Sequence, residues 1–265
     1  NTWNMKVEDI EPLITERTKA VMAVHIYGIT VDMEPLLEIA KTFQLKVIED
    51  AAEVIGQTYK GKPCGSFGDI STLSFYPNKH ITTGEGGMVL VYYDELAEKC
   101  KSLRNLCFGK TDRFIHEDRG WNFRMSNLQA AVGLAQLERL PETVKKKRAI
   151  GRAYHQNLIT SDYFSLPILQ TQYCVNIYWV FGIVSKQKTK DAKWWIEKLA
   201  TQGIGTRPFF FPMHQQPCLR EITKPNHLLN NSEILGEFGF YLPSSPSLSE
   251  LTIHEICEII HRTSF

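Results

Sequence analysis

Residues 18–50, TKAVMAVHIYGITVDMEPLLEIAKTFQLKVIED, decide the fold. Thr18–Tyr27 (TKAVMAVHIY) is a β-favouring apolar run that stops at Gly28. Such a continuous run is what a strand buried on both faces shows. Met33–Phe43 (MEPLLEIAKTF) carries Leu36, Leu37, Ile39 and Ala40 at helical spacing and reads as an amphipathic helix. Leu45–Ile48 (LKVI) is a second buried strand that runs into Glu49 and Asp50. Strand, helix and strand at these lengths form a βαβ unit, which predicts parallel strands and a right-handed crossover.

Working outward, residues 7–17 (VEDIEPLITER) predict a short helix, and Tyr59–Gly61 predicts a hairpin turn. Ile70–Phe75 and Gly87–Tyr92 read as further strands and Asp94–Leu103 as a helix. Residues 105–124 are loop-like, and Ser126–Leu140 is a helix with Ser126 as its N-cap. A charged helix follows over 142–158. Beyond it, Val175–Val184 reads as a strand, Lys190–Gln202 as a helix, Thr206–Phe211 as strand or extended chain, and Ser249–Arg262 as a closing helix. The fold class is α/β, with one domain over residues 1–145 and a second, smaller one over 146–265.

Composition narrows the function. Of 265 residues, 43% are hydrophobic and 22% charged, which excludes a disordered, collagenous or coiled-coil chain. Lys and Arg total 30 against 29 for Asp and Glu, so the basic excess of a nucleic-acid binder is missing. Cysteines 64, 100, 107, 174, 218 and 257 include no C-x-x-C pair, and the histidines show no metal-ligand spacing, so no metal is expected. Reduced thiols, no opening secretory segment and no apolar run near the ~20 residues of a membrane span predict a cytoplasmic protein without a membrane partner.

Four segments carry chemistry, and each also has an ordinary reading. Glu49-Asp50-Ala51-Ala52-Glu53 places acids at the carboxyl end of a buried strand, where α/β proteins bind ligands, and small residues there admit a planar ring. Asp50 could hold a heterocyclic nitrogen protonated, or could be a helix cap or a solvated loop acid. Ser74–Lys79 (SFYPNK) followed by Thr82–Gly87 (TTGEGG) sets a lysine before a glycine-rich turn. A reactive lysine needs a lowered pKa or an imine link; the ordinary reading is a surface lysine before a turn. Gly120–Asn127 (GWNFRMSN) could hold an anion at a helix start, or could be a cap with an aromatic staple. Thr206–Pro217 (TRPFFFPMHQQP) reads as a rigid binding wall or as an apolar edge strand.

Together, V-H-I-Y-G at 24–28, E-D-A-A-E at 49–53, G-S-F-G-D at 65–69, S-F-Y-P-N-K at 74–79, T-T-G-E-G-G at 82–87, W-N-F-R-M-S-N-L-Q-A-A at 121–131 and R-P-F-F-F-P-M-H-Q-Q-P at 207–217 occur in one order. The chain resembles the sugar aminotransferases of the DegT/DnrJ/EryC1/StrS family. The N-K-x-I-T-T-G-E-G-G and P-M-H-Q-Q-P segments are most similar to its GDP-perosamine synthase branch. The resemblance implies the aspartate-aminotransferase fold (fold type I): a mostly parallel sheet flanked by helices in a large cofactor-binding domain, and a small C-terminal α/β domain. It implies pyridoxal 5′-phosphate as cofactor. Lys79 matches the lysine that holds the cofactor covalently and moves the reaction's proton, and Asp50 matches the acid paired with the pyridine nitrogen. Glu53 matches a position beside the ring's 3-hydroxyl, where other members carry Gln or His. Ser74 matches a phosphate ligand, and Asn122 an asparagine reaching the phosphate from a neighbouring subunit, which implies a homodimer with shared sites. Arg207 and His214 are implied near the sugar nucleotide.

The implied reaction moves an amino group from L-glutamate to the 4-keto group of a nucleotide-linked 6-deoxy sugar, in the supply of O-antigen and lipopolysaccharide sugars. A 3-keto sugar, another nucleotide, or a non-catalytic family member are the alternatives. Family members extend further at the amino end by roughly a hundred residues. The resemblance therefore implies that the first part of the cofactor domain, with a phosphate-binding Ser/Thr-Gly loop and a ring-stacking aromatic, is missing, while the C-terminus is complete. A molecule beginning at Asn1 is expected to retain the cofactor weakly.

Overall fold

The computed structural model describes residues 2–109, 114–219, 221 and 229–264. The chain divides into two compact units, Asn4–Val144 with Gln172–Val175, and Asn1–Trp3 with Lys145–Thr171 and Asn176–Phe265.

The first unit opens with two 3₁₀ turns, Val7–Asp9 and Glu11–Leu13, where the sequence predicts one helix. Pro12 explains the difference: it has no N–H to donate, and its ring blocks the carbonyl four residues back. Next come β1 (Ala20–Val24), α1 (Met33–Thr42) and β2 (Lys46–Asp50). β1 and β2 pair in parallel, from Ala20 opposite Lys46 to Val24 opposite Asp50. A hairpin of β3 (Thr58–Tyr59) and β4 (Lys62–Pro63) turns at Lys60 and Gly61, both in the left-handed region (φ 47° and 83°). β5 (Ile70–Ser74) joins β2 in parallel, and β6 (Gly87–Val91) adds antiparallel to β5, for a sheet order β1-β2-β5-β6. Helices α2 (Asp94–Arg104) and α3 (Asn127–Leu137) follow. Ser126 caps α3 in a capping box with Gln129.

Strand alternation sorts this sheet into two faces. Val21, Ala23 and Val47 point to the side covered by Met33, Leu36 and Ala40 of α1 and form one core with them. The intervening residues point the other way, and there Met22 is 53% exposed. The expectation of a β1 buried on both faces therefore fails.

α4 (Leu140–Leu158) leads to the second unit, with β7 (Phe164–Ser165), β8 (Phe181–Ser185), α5 (Ala192–Ala200), β9 (Arg207–Pro208), α6 (Asn230–Phe238), β10 (Gly239–Leu242) and α7 (Glu250–Ser264). Its sheet, in order β7-β8-β10-β9, is antiparallel throughout. All of β8 is buried, and Trp195, Phe164, Phe181, Phe240, Ile253 and Ile260 build the core. β8 starts six residues later than the predicted Val175. The Asn176 carboxamide accepts from the Tyr178 N–H (2.7 Å) and donates to the Ile168 carbonyl (3.0 Å), while Tyr178 takes φ 50°. A side chain that bonds nearby backbone outcompetes the strand ladder there. Among the described residues, no helix is long and apolar enough to cross a membrane.

Gly151 sits inside α4, where helix propensity alone favours alanine by about 1 kcal/mol. A Cβ at this position would lie 2.3 Å from the Tyr178 ring. Overpacking of this kind typically costs about 1–3 kcal/mol. Gly151→Ala is therefore expected to lower stability in chemical denaturation, and an increase would show that Tyr178 gives way.

Candidate active site

The carboxyl ends of the parallel strands β1, β2 and β5 define the site, as α/β architecture leads one to expect. At the end of β2, two adjacent acids face opposite ways. Glu49 pairs in register with Ala23 and Ser71 and points to the α1 side, where it is fully buried. Asp50 pairs with Val24 and Thr72 and points to the other face.

Glu49 is bound on every side. It accepts from the N–H groups of Gly65 (2.6 Å), Phe67 (2.8 Å) and Gly68 (3.2 Å), and from the Ser71 hydroxyl (3.0 Å). His25 Nε2 lies 3.1 Å from it, and His25 Nδ1 accepts from the Val31 N–H (3.0 Å). That second bond fixes the neutral tautomer, with the proton on Nε2 donated to Glu49. Burial pushes the Glu49 carboxyl up, but these donors together hold it below the ordinary carboxylate range. The ligand atoms of His25, Glu49 and Cys64 all lie within 4.8 Å of one another, a juxtaposition that sequence spacing does not reveal. Both imidazole nitrogens are already engaged, and burial holds the Cys64 thiol protonated, so the arrangement is a hydrogen-bonded clamp.

On the open face, Asp50 Oδ1 accepts from the Ala52 N–H (3.0 Å) and from the Thr72 hydroxyl (3.4 Å). Glu53, on the turn after β2, is buried, and its Oε2 accepts from the Tyr27 N–H (2.8 Å). Tyr27 and Gly28 both take positive φ (55° and 101°), a bend that aims this amide at Glu53. Lys79 Nζ stands 3.9 Å from Glu53 Oε1, and the two side chains are only 10% and 8% exposed. Burial drives Glu53 up to about 7, with Asp50 adding to the rise and the Tyr27 amide and Lys79 opposing it. Burial likewise lowers Lys79, against the pull of Glu53 and Asp50.

Local structure fixes the lysine. Its N–H closes a turn onto the Tyr76 carbonyl (3.0 Å), and the Ser74 hydroxyl accepts from the Tyr76 N–H (3.3 Å). The following loop is tied back to β5: the Thr83 N–H and the Thr82 hydroxyl both donate to the Phe75 carbonyl (3.0 Å each). Glycine is required here by the chain itself, because a Cβ at Gly86 would lie 2.4 Å from the Thr83 hydroxyl.

The structure thus brings Asp50, Glu53 and Lys79 together. Ser74 lies two residues beyond Thr72 on β5 and so projects to the same face as Asp50. Asn122 is exposed, bridges to Asn105, and accepts from Arg124 Nε at 3.1 Å. In the second unit, Arg207 is exposed on β9, and His214 Nε2 lies 2.9 Å from Glu233 Oε1. Sequence reasoning missed Tyr27, whose only signal is the glycine that follows it. It also missed the Glu49 clamp, hinted at by the G-S-F-G-D loop.

The model of the DegT/DnrJ/EryC1/StrS aminotransferase family matches residues 1–261. A GDP-perosamine synthase from Escherichia coli O157:H7 is 41% identical over 263 residues, covering 98% of this chain and 70% of that protein. A GDP-perosamine synthase from Caulobacter vibrioides is 39% identical, covering 96% of this chain and 68% of that protein. Among solved structures, Helicobacter pylori PseC, an aminotransferase involved in pseudoaminic acid biosynthesis, superposes with a TM-score of 0.90 at 28% identity, covering 99% of this chain and 71% of that one. The chain belongs to the DegT/DnrJ/EryC1/StrS aminotransferase family, and it is a pyridoxal 5′-phosphate enzyme. The residues fit that cofactor: a buried amine with a lowered proton affinity for its aldehyde, a carboxylate on the open face for its ring nitrogen, and a hydroxyl at the end of β5 for its phosphate.

Removing the Glu49 carboxylate strands five donors, four of them on buried residues. Glu49→Ala is expected to cost about 3–5 kcal/mol in chemical denaturation. Because the folded carboxyl lies below its ordinary value of 4.5, its stabilisation is complete above that value. It fades as pH falls through the lower, folded value, so the difference between wild type and variant should shrink in strong acid. A difference that stays constant down to that range would show that Glu49 is not held as the anion.

Proposed function

We propose that this enzyme transfers an amino group from L-glutamate to the 4-keto group of a nucleotide-linked 6-deoxy sugar. The observation that carries the reading is the Asp50–Glu53–Lys79 cluster, in a chain 41% identical to a GDP-perosamine synthase. That identity favours a 4-keto over a 3-keto substrate. The product would feed polysaccharide sugars such as those of O-antigens, in the cytoplasm. The two compact units correspond in this reading to the large cofactor domain and the small C-terminal domain of the family.

The bound cofactor supplies an electron-withdrawing ring that accepts the electron pair left when the substrate carbon loses its proton. The chain supplies the rest. Asp50, steadied by Thr72 and the Ala52 amide, is assigned to the ring nitrogen. At ~4 Å and an effective dielectric near 20, such a pair is worth ~4 kcal/mol of attraction. Lys79 would hold the cofactor and would serve as base and acid, taking the proton from Cα of glutamate and, in the second half, delivering one to the carbon of the sugar's former keto group. Burial suits it to the task, since an amine can attack or take a proton only when neutral. The Ser74 hydroxyl is assigned to the cofactor phosphate. Asn122, exposed and paired with Arg124, is assigned to the phosphate of a second copy across a homodimer interface. Arg207 and His214 are assigned to the sugar nucleotide.

Purified protein supplied with pyridoxal 5′-phosphate should carry the visible absorbance of the covalently held cofactor. Lys79→Ala should lose that absorbance and at least ~10²–10⁴-fold of the transfer rate. With glutamate and a panel of GDP-, dTDP- and UDP-linked keto sugars, an amino product is expected from a 4-keto sugar; a product from 3-keto sugars alone would overturn the assignment. Mixing Asn122→Ala with Lys79→Ala chains should restore activity above the sum of the two alone, because one site in each mixed dimer is then intact. No restoration would argue against the shared site.

A further inference from the structure

We propose that Glu53 and Lys79 share a proton as one coupled unit, so that Glu53 acts through Lys79 as a positioning residue and sets when the amine is neutral. This rests on the reading of Lys79 as the reactive amine. It adds to the cofactor-ring contact that family resemblance implies for Glu53.

The geometry is specific. Glu53 Oε2 is committed to the Tyr27 amide at 2.8 Å, and that amide is fixed by the left-handed backbone at Tyr27. Oε1 is the oxygen directed at Lys79, and its 3.9 Å separation from Nζ is an ion-pair distance longer than a hydrogen bond. Such a pair is coupled through charge without being locked in one protonation state. Among the described residues, the charges of Lys79 and Asp50 act on Glu53, and those of Glu53 and Asp50 act on Lys79. Burial moves the two groups toward each other, Glu53 up to about 7 and Lys79 down.

The step balances without any further reactant. An N–H bond of the Lys79 ammonium breaks, an O–H bond forms on Glu53, and the pair goes from one positive and one negative charge to two neutral groups. A single bridging water, or a side-chain shift of about 1 Å, closes the gap. With Glu53 protonated, the neutral amine can attack a carbonyl or take a proton. With Glu53 ionised, the ammonium that results is stabilised in place.

The amine can be read directly on the full chain without added cofactor. Trace labelling with acetic anhydride from pH 5 to 10, quantified by peptide mass spectrometry, reports the neutral fraction of Lys79. In wild type the labelling curve should be broader than a single ionisation, as coupled sites titrate in two steps. In Glu53→Gln, which keeps an acceptor for the Tyr27 amide, the curve should collapse to one step. Its midpoint should fall by about one pH unit or more, giving about tenfold more labelling below it, because the negative charge that held the ammonium is gone. An unchanged midpoint would overturn the proposal. If the variant does not fold, the wild-type curve alone decides: a single-proton curve overturns the pairing and a broad one supports it. The readout uses neither cofactor nor turnover, so failure of the pairing leaves the amino-transfer reading standing, and failure of that reading leaves the titration intact.

Discussion

A fully buried carboxylate, Glu49, is the constraint on which the first unit depends. An ionised carboxylate leaves water at a cost of several kcal/mol, repaid only when protein donors replace the lost hydration. Its donors come from widely separated parts of the chain: His25 beyond β1, the Gly65–Gly68 loop, and Ser71 of β5. His25 in turn holds the Val31 amide ahead of α1. Gly68 has to be glycine in this arrangement, since a Cβ there would fall 2.6 Å from the Ile70 carbonyl and 3.0 Å from the Glu49 amide. The anion therefore pins the carboxyl ends of β1 and β2, the start of β5 and two loops to one point. The carboxyl ends of β1 and β2 also carry the candidate active site.

The site borrows that rigidity on the opposite face of the sheet. Asp50 follows Glu49 directly, so the pleat turns it to the opposite face. Its backbone is held by the His25 amide on one side (3.1 Å) and its side chain by Thr72 on the other. Lys79 and Glu53 approach from two different turns, and each is itself anchored by backbone hydrogen bonds. A contrast within the molecule makes the chemistry plain. Lys147, buried in the second unit, donates to the Trp179 and Ser244 carbonyls, and burial brings it down to about 7. Carbonyl acceptors hold such a lysine in place but cannot take its proton. Lys79 faces carboxylates, which can.

How much of this is legible in the sequence follows from which features are local. The βαβ unit, the Tyr59–Gly61 turn and the Ser126 cap depend on neighbours in the chain, and pattern and turn chemistry place them well. The Asp50, Glu53 and Lys79 candidates follow from motifs at strand ends. The clamp is different. His25, Glu49 and Gly65 meet only in the folded sheet, and which of the adjacent acids Glu49 and Asp50 turns inward rests on strand parity, which shifts with one residue of register. The late start of β8 fails for a related reason: composition marks Val175–Val180 as strand-like, but the Asn176 carboxamide captures the backbone first. Likewise α6 and β10 carry no local signal, because α6 has no side-chain cap and β10 is a four-residue run whose role appears only in its pairing with β8 and β9.

The pairing of Glu49 with Asp50 also separates stability from chemistry. The helix-covered face holds a carboxylate whose donors are already satisfied, so it offers a ligand nothing. The open face holds a carboxylate bonded on one oxygen, beside an amine and an acid whose proton affinities burial has brought together. Displaced proton affinities of this kind cost folding energy, because each group is held away from its preferred charge. A fold tolerates that cost where another interaction over-determines the backbone. Here the Glu49 clamp does so, one residue away, and it lets Asp50, Glu53 and Lys79 stand in an arrangement that packing alone would not favour.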